Sequence, residues 1–207
     1  MPNDFSKSQT AVNLMRSFAG ESQARNRYTM AGDALRKKGY FFLYNIFRIT
    51  ADQEKAHAKV FYDHLKSLSG GNIIIPEAGY PVDNFDEPEK LLRAACHNEL
   101  EEADSVYPAF AETAQNEGFA SVAFSFEQIA KIEKKHAERF ECFAKLMEQS
   151  ILFDGSEDTV WMCLNCGHTV QGKVPERCPV CSEGKGYFVP FKYYCFMAEK
   201  YGLPAAL

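Results

Sequence analysis

The sequence predicts a mainly α protein: a bundle of four long helices followed by a small metal-binding domain with short β-strands. Three observations carry this expectation. Apolar residues recur at helical intervals over four long stretches. Beyond about residue 155 the composition shifts to Gly, Pro and Cys, and that part holds two Cys-x-x-Cys pairs. The 207 residues suit one medium and one small domain, expected at 1–154 and 155–207. With 46% hydrophobic and 25% charged residues the chain falls in the globular range, which excludes a mostly disordered protein. A formal charge of -5 provides no basic field for nucleic acid or an anionic membrane, so neither is an expected partner. No apolar run approaches the roughly 20 residues that span a bilayer, and MPNDFSKSQT lacks the pattern of a secretory signal. The expected location is the cytoplasm.

The first helix is read from about Ser8 to Gly39 and the second from about Phe41 to Ser69. Each is long enough for roughly 45 Å at 1.5 Å per residue. Gly70 to Phe85, with Gly-Gly, Pro76, Gly79 and Pro81, must be a long connection. Asp86 and Glu89 suggest a capping box with Pro88 in the first turn, opening a third helix that ends near Gly118 and should kink at Pro108. A fourth runs from about Phe119 to Gln149, before the polar linker Asp154-Gly155-Ser156. Two short connections and one long middle one match an up-down bundle with a single crossover, the ferritin-like arrangement.

Both seams carry charge. In the fourth helix Val122, Phe126, Ile129, Glu133, His136, Phe140, Phe143 and Met147 follow steps of four and three. In the second, Leu43, Phe47, Thr50, Glu54, His57, Phe61, His64 and Leu68 do the same. A buried carboxylate must be neutralised, paired or bound to metal. Glu21, in line with Leu14, Ala24, Tyr28 and Leu35, precedes Glu54-x-x-His57 by 33 residues, and Glu99 precedes Glu133-x-x-His136 by 34. This internal repeat brings four carboxylates and two imidazoles to one level, the constellation of di-iron and di-manganese bundles. Bridging carboxylates offset the charge of two adjacent ions, and one imidazole per metal leaves room for an exogenous ligand. Glu102, three residues after Glu99, is either a fifth ligand or a solvated neighbour of Glu101. Inward Tyr28 and Tyr107 are either core tyrosines or donors to a ligand carboxylate. His64 and His97 read as core or surface histidines, and His168 as a loop residue.

Cys163-x-x-Cys166, eleven residues, then Cys178-x-x-Cys181 gives four thiolates in two tight knuckles, a tetrahedral site for Zn or a single Fe. On spacing alone Zn is favoured. Cys96, Cys142 and Cys195 lack partners at ligand spacing and read as buried apolar residues.

Taken together, the chain resembles rubrerythrin over nearly its whole length. The resemblance rests on Gly20-Glu21-Ser22-Gln23-Ala24-Arg25-Asn26-Arg27-Tyr28, Glu54-Lys55-Ala56-His57-Ala58-Lys59, Glu99 with Glu102, Tyr107-Pro108, Glu133-Lys134-Lys135-His136 and the two Cys-x-x-Cys pairs. It implies a ferritin-like di-iron bundle fused to a rubredoxin-like domain, with two Fe in the bundle and one Fe, rather than Zn, at the cysteines. It further implies that Glu54 and Glu133 bridge the irons, with Glu21 and Glu102 on one and Glu99 and His136 on the other. On reduction the first iron is expected to leave Glu102 for His57. Ser182 departs from the pattern, standing where a Gly would ease the second knuckle, and a tail runs from Tyr193 to Leu207.

The implied activity is reduction of hydrogen peroxide to water in oxidative stress defence. Electrons are expected to come from a reductase or a rubredoxin through the cysteine centre, in a homodimer that places one chain's module near the other's di-iron site. Two alternatives belong to other classes: an iron-handling ferroxidase, for which a tethered reductant would be superfluous, and a Zn-stapled interaction protein.

Overall fold

The computed structural model describes residues 4–66, 72–76, 78–83 and 85–192. Helix α1 spans Gln9–Lys37, α2 Phe41–Leu65, α3 Pro88–Glu101, α4 Tyr107–Asn116 and α5 Ala120–Glu148. Between α3 and α4 the chain stays helical through one π-helical turn, Glu102–Val106. Strands β1 (Val160–Cys163), β2 (Thr169–Gln171) and β3 (Phe188–Pro190) form an antiparallel sheet in the order β2-β1-β3. Helices α1 and α2 make one hairpin, and α3 with α4 packs on α5 to make the other.

The helix ends follow the sequence. Ser8 caps α1, its hydroxyl accepting from the Ala11 amide at 3.1 Å. After α1 and α4 the chain turns at Gly39 and Gly118, both with φ +87°, a backbone that suits Gly because it lacks a Cβ. Tyr40 N–H then reaches back to the Leu35 carbonyl and Phe119 N–H to that of Ala114, at 2.9 and 2.8 Å.

One local expectation is corrected. No capping box forms before α3: its N-cap is Glu87, which makes no side-chain cap bond, and Asp86 lies outside. Glu87 precedes a proline and is extended, so the helix starts at Pro88, where no N–H needs a partner. Pro108 stands in the first turn of α4. The π turn lies just before it, with Tyr107 N–H bonded to the Glu102 carbonyl. The turn also explains the repeat's unequal spacing. Tyr28 follows Glu21 by seven residues but Tyr107 follows Glu99 by eight. A π turn absorbs one extra residue and returns the following side chains to the same face. Helix α2 ends at Leu65, and Leu68, Ser69 and Cys195 lie outside the described residues.

The core is divided in two. Leu35, Leu43, Phe47, Leu92, Phe140 and Phe143 fill the end near the sheet. Leu14, Phe61, Leu65, Phe126 and Ile129 fill the other. The acidic layer lies between these apolar plugs, which close it off toward both ends of the bundle. In the C-terminal module Trp161, Val174 and Phe188 make a third cluster, and the Trp161 indole donates to the Gly172 carbonyl at 2.9 Å. The module rests on the bundle: Met162 and Val189 join the upper core, and the rings of Phe41 and Tyr187 stack at 4.1 Å. Gly186 lies so close that a Cβ there would fall 1.6 Å from the Gly39 carbonyl oxygen.

The long crossover is tied across α1. Arg16 donates to the Pro76 carbonyl at 2.9 Å, the Tyr80 hydroxyl donates to the Arg16 carbonyl at 3.1 Å, and Arg27 pairs with Asp83 at 2.6 Å. No helix among the described residues is long and apolar enough to cross a membrane.

Candidate metal centres

Each helix hairpin brings half of the first cluster. Glu21 on α1, Glu54 and His57 on α2, Glu99 on α3 and Glu133 and His136 on α5 are all 6% exposed or less. Glu21, Glu54, His57 and Glu133 form one four-ligand group, and Glu54, Glu99, Glu133 and His136 a second; within each group the ligand atoms lie within 4.8 Å of one another. Glu54 and Glu133 belong to both.

Their oxygens are divided between the halves. Glu133 Oε1 is 2.8 Å from His57 Nδ1, and its Oε2 is 2.8 Å from His136 Nδ1. Glu54 Oε2 is 3.0 Å from His57 Nδ1, and its Oε1 is 3.1 Å from His136 Nδ1. One oxygen toward each half is the geometry of a bridging carboxylate. Glu99 Oε2 faces His136 Nδ1 at 3.4 Å, and Glu21 Oε1 faces His57 Nδ1 at 3.9 Å. The outer acids are each held by a tyrosine, Glu99 by the Tyr28 hydroxyl and Glu21 by that of Tyr107.

The residues fit a pair of metal ions. Glu21 Oε2, Glu54 Oε1, Glu99 Oε2, both Glu133 oxygens and both His136 nitrogens are buried and make no well-aligned hydrogen bond, the short imidazole–carboxylate approaches being the nearest polar contacts that several of them have. Orphaned atoms of this kind are costly singly, and here they converge. Burial, reinforced by the neighbouring acids, pushes Glu21 and Glu99 well above the carboxylate range and Glu102 up to about 8. Burial opposes the charge on Glu133 too, but His136 and His57 hold it down at about 2. Burial also opposes charge on His57, yet Glu133 and Glu54 raise it to about 9. Without a cation the layer must take up protons; a metal pair replaces them, and carboxylate with imidazole suits Fe or Mn. Burial, and for Tyr28 the nearby Glu99 and for Tyr107 Glu102 and Glu21, keep both hydroxyls protonated, so both remain donors.

Glu102 belongs to neither group. It sits in the π turn, only partly buried, at the edge of the cluster, while His57 takes the inner place. His64 is half-buried and bonds Ser125 at 2.9 Å, His97 is exposed and His168 lies in a loop. Cys96 is buried as expected, but Cys142 is exposed, because it falls beside the Phe140–Phe143 seam instead of on it. Asn98, which the sequence reading passed over, is buried beside Glu99 with its Nδ2 unpartnered. Its position one turn before Glu102 was the available signal.

The second cluster is Cys163, Cys166, Cys178 and Cys181. Cys163 and Cys181 sulfurs are 3.7 Å apart, those of Cys166 and Cys178 3.6 Å. A tetrahedron with metal–sulfur bonds of about 2.3 Å has edges of about 3.8 Å. The two knuckles repeat one hydrogen-bond pattern. Gly167 N–H bonds the Cys163 carbonyl at 2.8 Å and Ser182 N–H that of Cys178 at 2.9 Å. Cys163 N–H meets the His168 carbonyl at 2.8 Å and Cys178 N–H that of Glu183 at 2.7 Å.

A family model described as rubrerythrin matches residues 13–144 and 90–160, and one described as the rubredoxin-like domain of rubrerythrin matches 161–189. A rubrerythrin from Clostridium perfringens (strain 13 / Type A) is 43% identical over 185 residues, covering 89% of this chain and 95% of the relative. A solved structure of nigerythrin in its fully reduced, all-ferrous state is similar with a TM-score of 0.60 and 27% identity, covering 89% of this chain and 90% of that one. A Desulfovibrio desulfuricans bacterioferritin shares the fold, with a TM-score of 0.61 at 20% identity over 69% of this chain and 82% of its own.

Proposed function

The chain belongs to the rubrerythrin family, and from that premise we propose that it is a non-haem di-iron peroxidase that reduces hydrogen peroxide to water. The observation that carries this reading is the convergence of buried carboxylate and imidazole atoms, most without a well-aligned hydrogen bond, in a chain that also holds a four-cysteine centre. When bound, iron supplies the electrons: a pair at the carboxylate layer able to give one each to a peroxide, and a single ion at the cysteines that restores them one at a time.

The protein's residues do the rest. Glu54 and Glu133 span the two halves and fix their separation. Tyr28 and Tyr107 hold Glu99 and Glu21 in place and stay protonated, each a proton donor within reach of the layer. The apolar plugs above and below close the layer to bulk water from the two ends of the bundle. Glu102 and His57 offer alternative ligands to one side, an anion for the higher charge state and a neutral imidazole for the lower. The protein acts as a homodimer in the cytoplasm and takes electrons from a rubredoxin or its reductase.

Metal analysis of purified protein tests the reading at its base. Three iron atoms per chain, with the absorption of a four-thiolate ferric centre, support it. Two iron atoms with Zn at the cysteines would instead fit a ferroxidase with a structural staple.

A further inference from the structure

A cavity of ≈ 290 Å³ lies between α1, the crossover and the π turn. Its lining includes Arg16, Gly20, Tyr80, Asn98, Glu102 and Tyr107. Of these, Tyr107 donates to Glu21 of the carboxylate layer and Glu102 lies at that layer's edge, so the cavity reaches from the surface toward the layer. Glu102 alone among the five acids is only partly buried. The partly exposed Tyr80 ring lines the cavity and lies over Gly20, at ordinary contact distance, 3.6 Å from where a Gly20 Cβ would stand.

The cavity is not merely apolar space. Asn98 is 9% exposed, and its Nδ2 has no hydrogen-bond partner; nor does Arg16 Nε. Two buried donors without acceptors, in one cavity, call for a small molecule with acceptor oxygens. Asn98 stands four residues before Glu102, on the same helical face, so a molecule bonded to its amide sits one turn from the metal ligands. A water needs only about 10–15 Å³ of such space, so the cavity has room for more than hydrogen peroxide.

Resting on the peroxidase reading, we propose that this cavity is the substrate port, that the Asn98 amide binds the incoming hydroperoxide, and that small alkyl hydroperoxides are substrates beside hydrogen peroxide. The reaction balances as ROOH with two electrons and two protons giving ROH and water. The O–O bond breaks, and the reduced metal pair is the reductant. Tyr80 sets the size limit, and Asn98 orients the oxygen end inward.

The test uses iron-loaded, prereduced full-length protein, mixed anaerobically with hydrogen peroxide, tert-butyl hydroperoxide or nitric oxide. Nitric oxide binds ferrous iron and reports access without chemistry. Asn98→Leu should weaken the concentration dependence for hydrogen peroxide about five- to tenfold, the loss of one hydrogen bond, with nitric oxide binding unchanged within about twofold. Tyr80→Ala should speed tert-butyl hydroperoxide at least fivefold relative to hydrogen peroxide and also speed nitric oxide binding. If both variants react as wild type with both hydroperoxides, the oxidant enters elsewhere and the port is wrong. If Asn98→Leu slows nitric oxide as much as peroxide, Asn98 is structural and the donor assignment falls. A wild-type protein inert to every hydroperoxide overturns the peroxidase reading, and the port with it.

Discussion

Ser182 and Gly167 occupy the same place in the two cysteine knuckles, with φ of +63° and +76°. Left-handed backbone costs a residue with a Cβ about 1–2 kcal/mol, and glycine almost nothing. Ser182→Gly should therefore stabilise the module by about 0.5–1 kcal/mol after allowing for the entropy of an added glycine. Thermal loss of the cysteine centre's charge-transfer absorption should move to higher temperature; a shift to lower temperature would show that the Ser182 side chain contributes something the backbone argument omits. This residue was legible in the sequence because a knuckle's backbone demand is local. So were Glu21, Glu54, His57, Glu99, Glu133 and His136 as inward positions, since each falls on a seam of regular spacing and all are buried. Asn98 was not, because its importance comes from a cavity wall supplied by the crossover, which has no periodicity to read. Cys142 was misplaced because cysteine's usual burial outweighed its position one residue off the seam.

At the level of the elements, helix α1 is capped from far along the chain. Glu117, in the turn after α4, accepts from the Gln9 and Thr10 amides at 3.0 and 2.8 Å and from the Thr10 hydroxyl at 2.5 Å. A carboxylate at a helix N-terminus satisfies orphan amides and faces the positive end of the dipole. Burial works against its charge, but these bonds from Thr10 and Gln9 hold its pKa below the ordinary carboxylate value. Glu117→Ala should cost about 1–2 kcal/mol at pH 7. Because the folded pKa is depressed, this contribution is present above the unfolded pKa and fades as pH falls through the folded one. Thermal unfolding of variant and wild type should thus converge toward pH 3; a constant gap from pH 7 to pH 3 would assign the loss to packing. No pattern of the sequence reveals a cap from over a hundred residues away. The π turn was half legible: the 33 and 34 residue spacings recorded an extra residue, but not how the helix absorbs it. Pro108 marks the place, just after the π turn, where the helix departs from regularity.

For the whole molecule, the order of bundle and module was legible because composition changes sharply between them, and the four-helix count because Gly and Pro separate the amphipathic stretches. How the parts meet was not: the Phe41–Tyr187 stack and the Gly39–Gly186 approach depend on side chains from distant segments. The bundle has its own two cores, while the module, with one small cluster, depends on its metal. Replacing Cys163 and Cys166 with Ser should unfold the module locally and leave the bundle and its metals in place. One addition of peroxide should still oxidise the prereduced carboxylate site, while multiple turnovers with a rubredoxin-type donor should fail. Sustained turnover in that variant would make the module a staple and not a relay.

The most direct measurement of the central claim is anaerobic rapid mixing of fully reduced, iron-loaded protein with hydrogen peroxide and, separately, with oxygen, following the absorption of both iron centres. The arrangement of two imidazoles, paired bridging acids and protonated tyrosines predicts oxidation by peroxide at least tenfold faster than by oxygen at equal concentration, with the cysteine centre oxidised after the carboxylate site. Equal rates with the two oxidants, or oxygen the faster, would contradict it and place the protein with the ferroxidases.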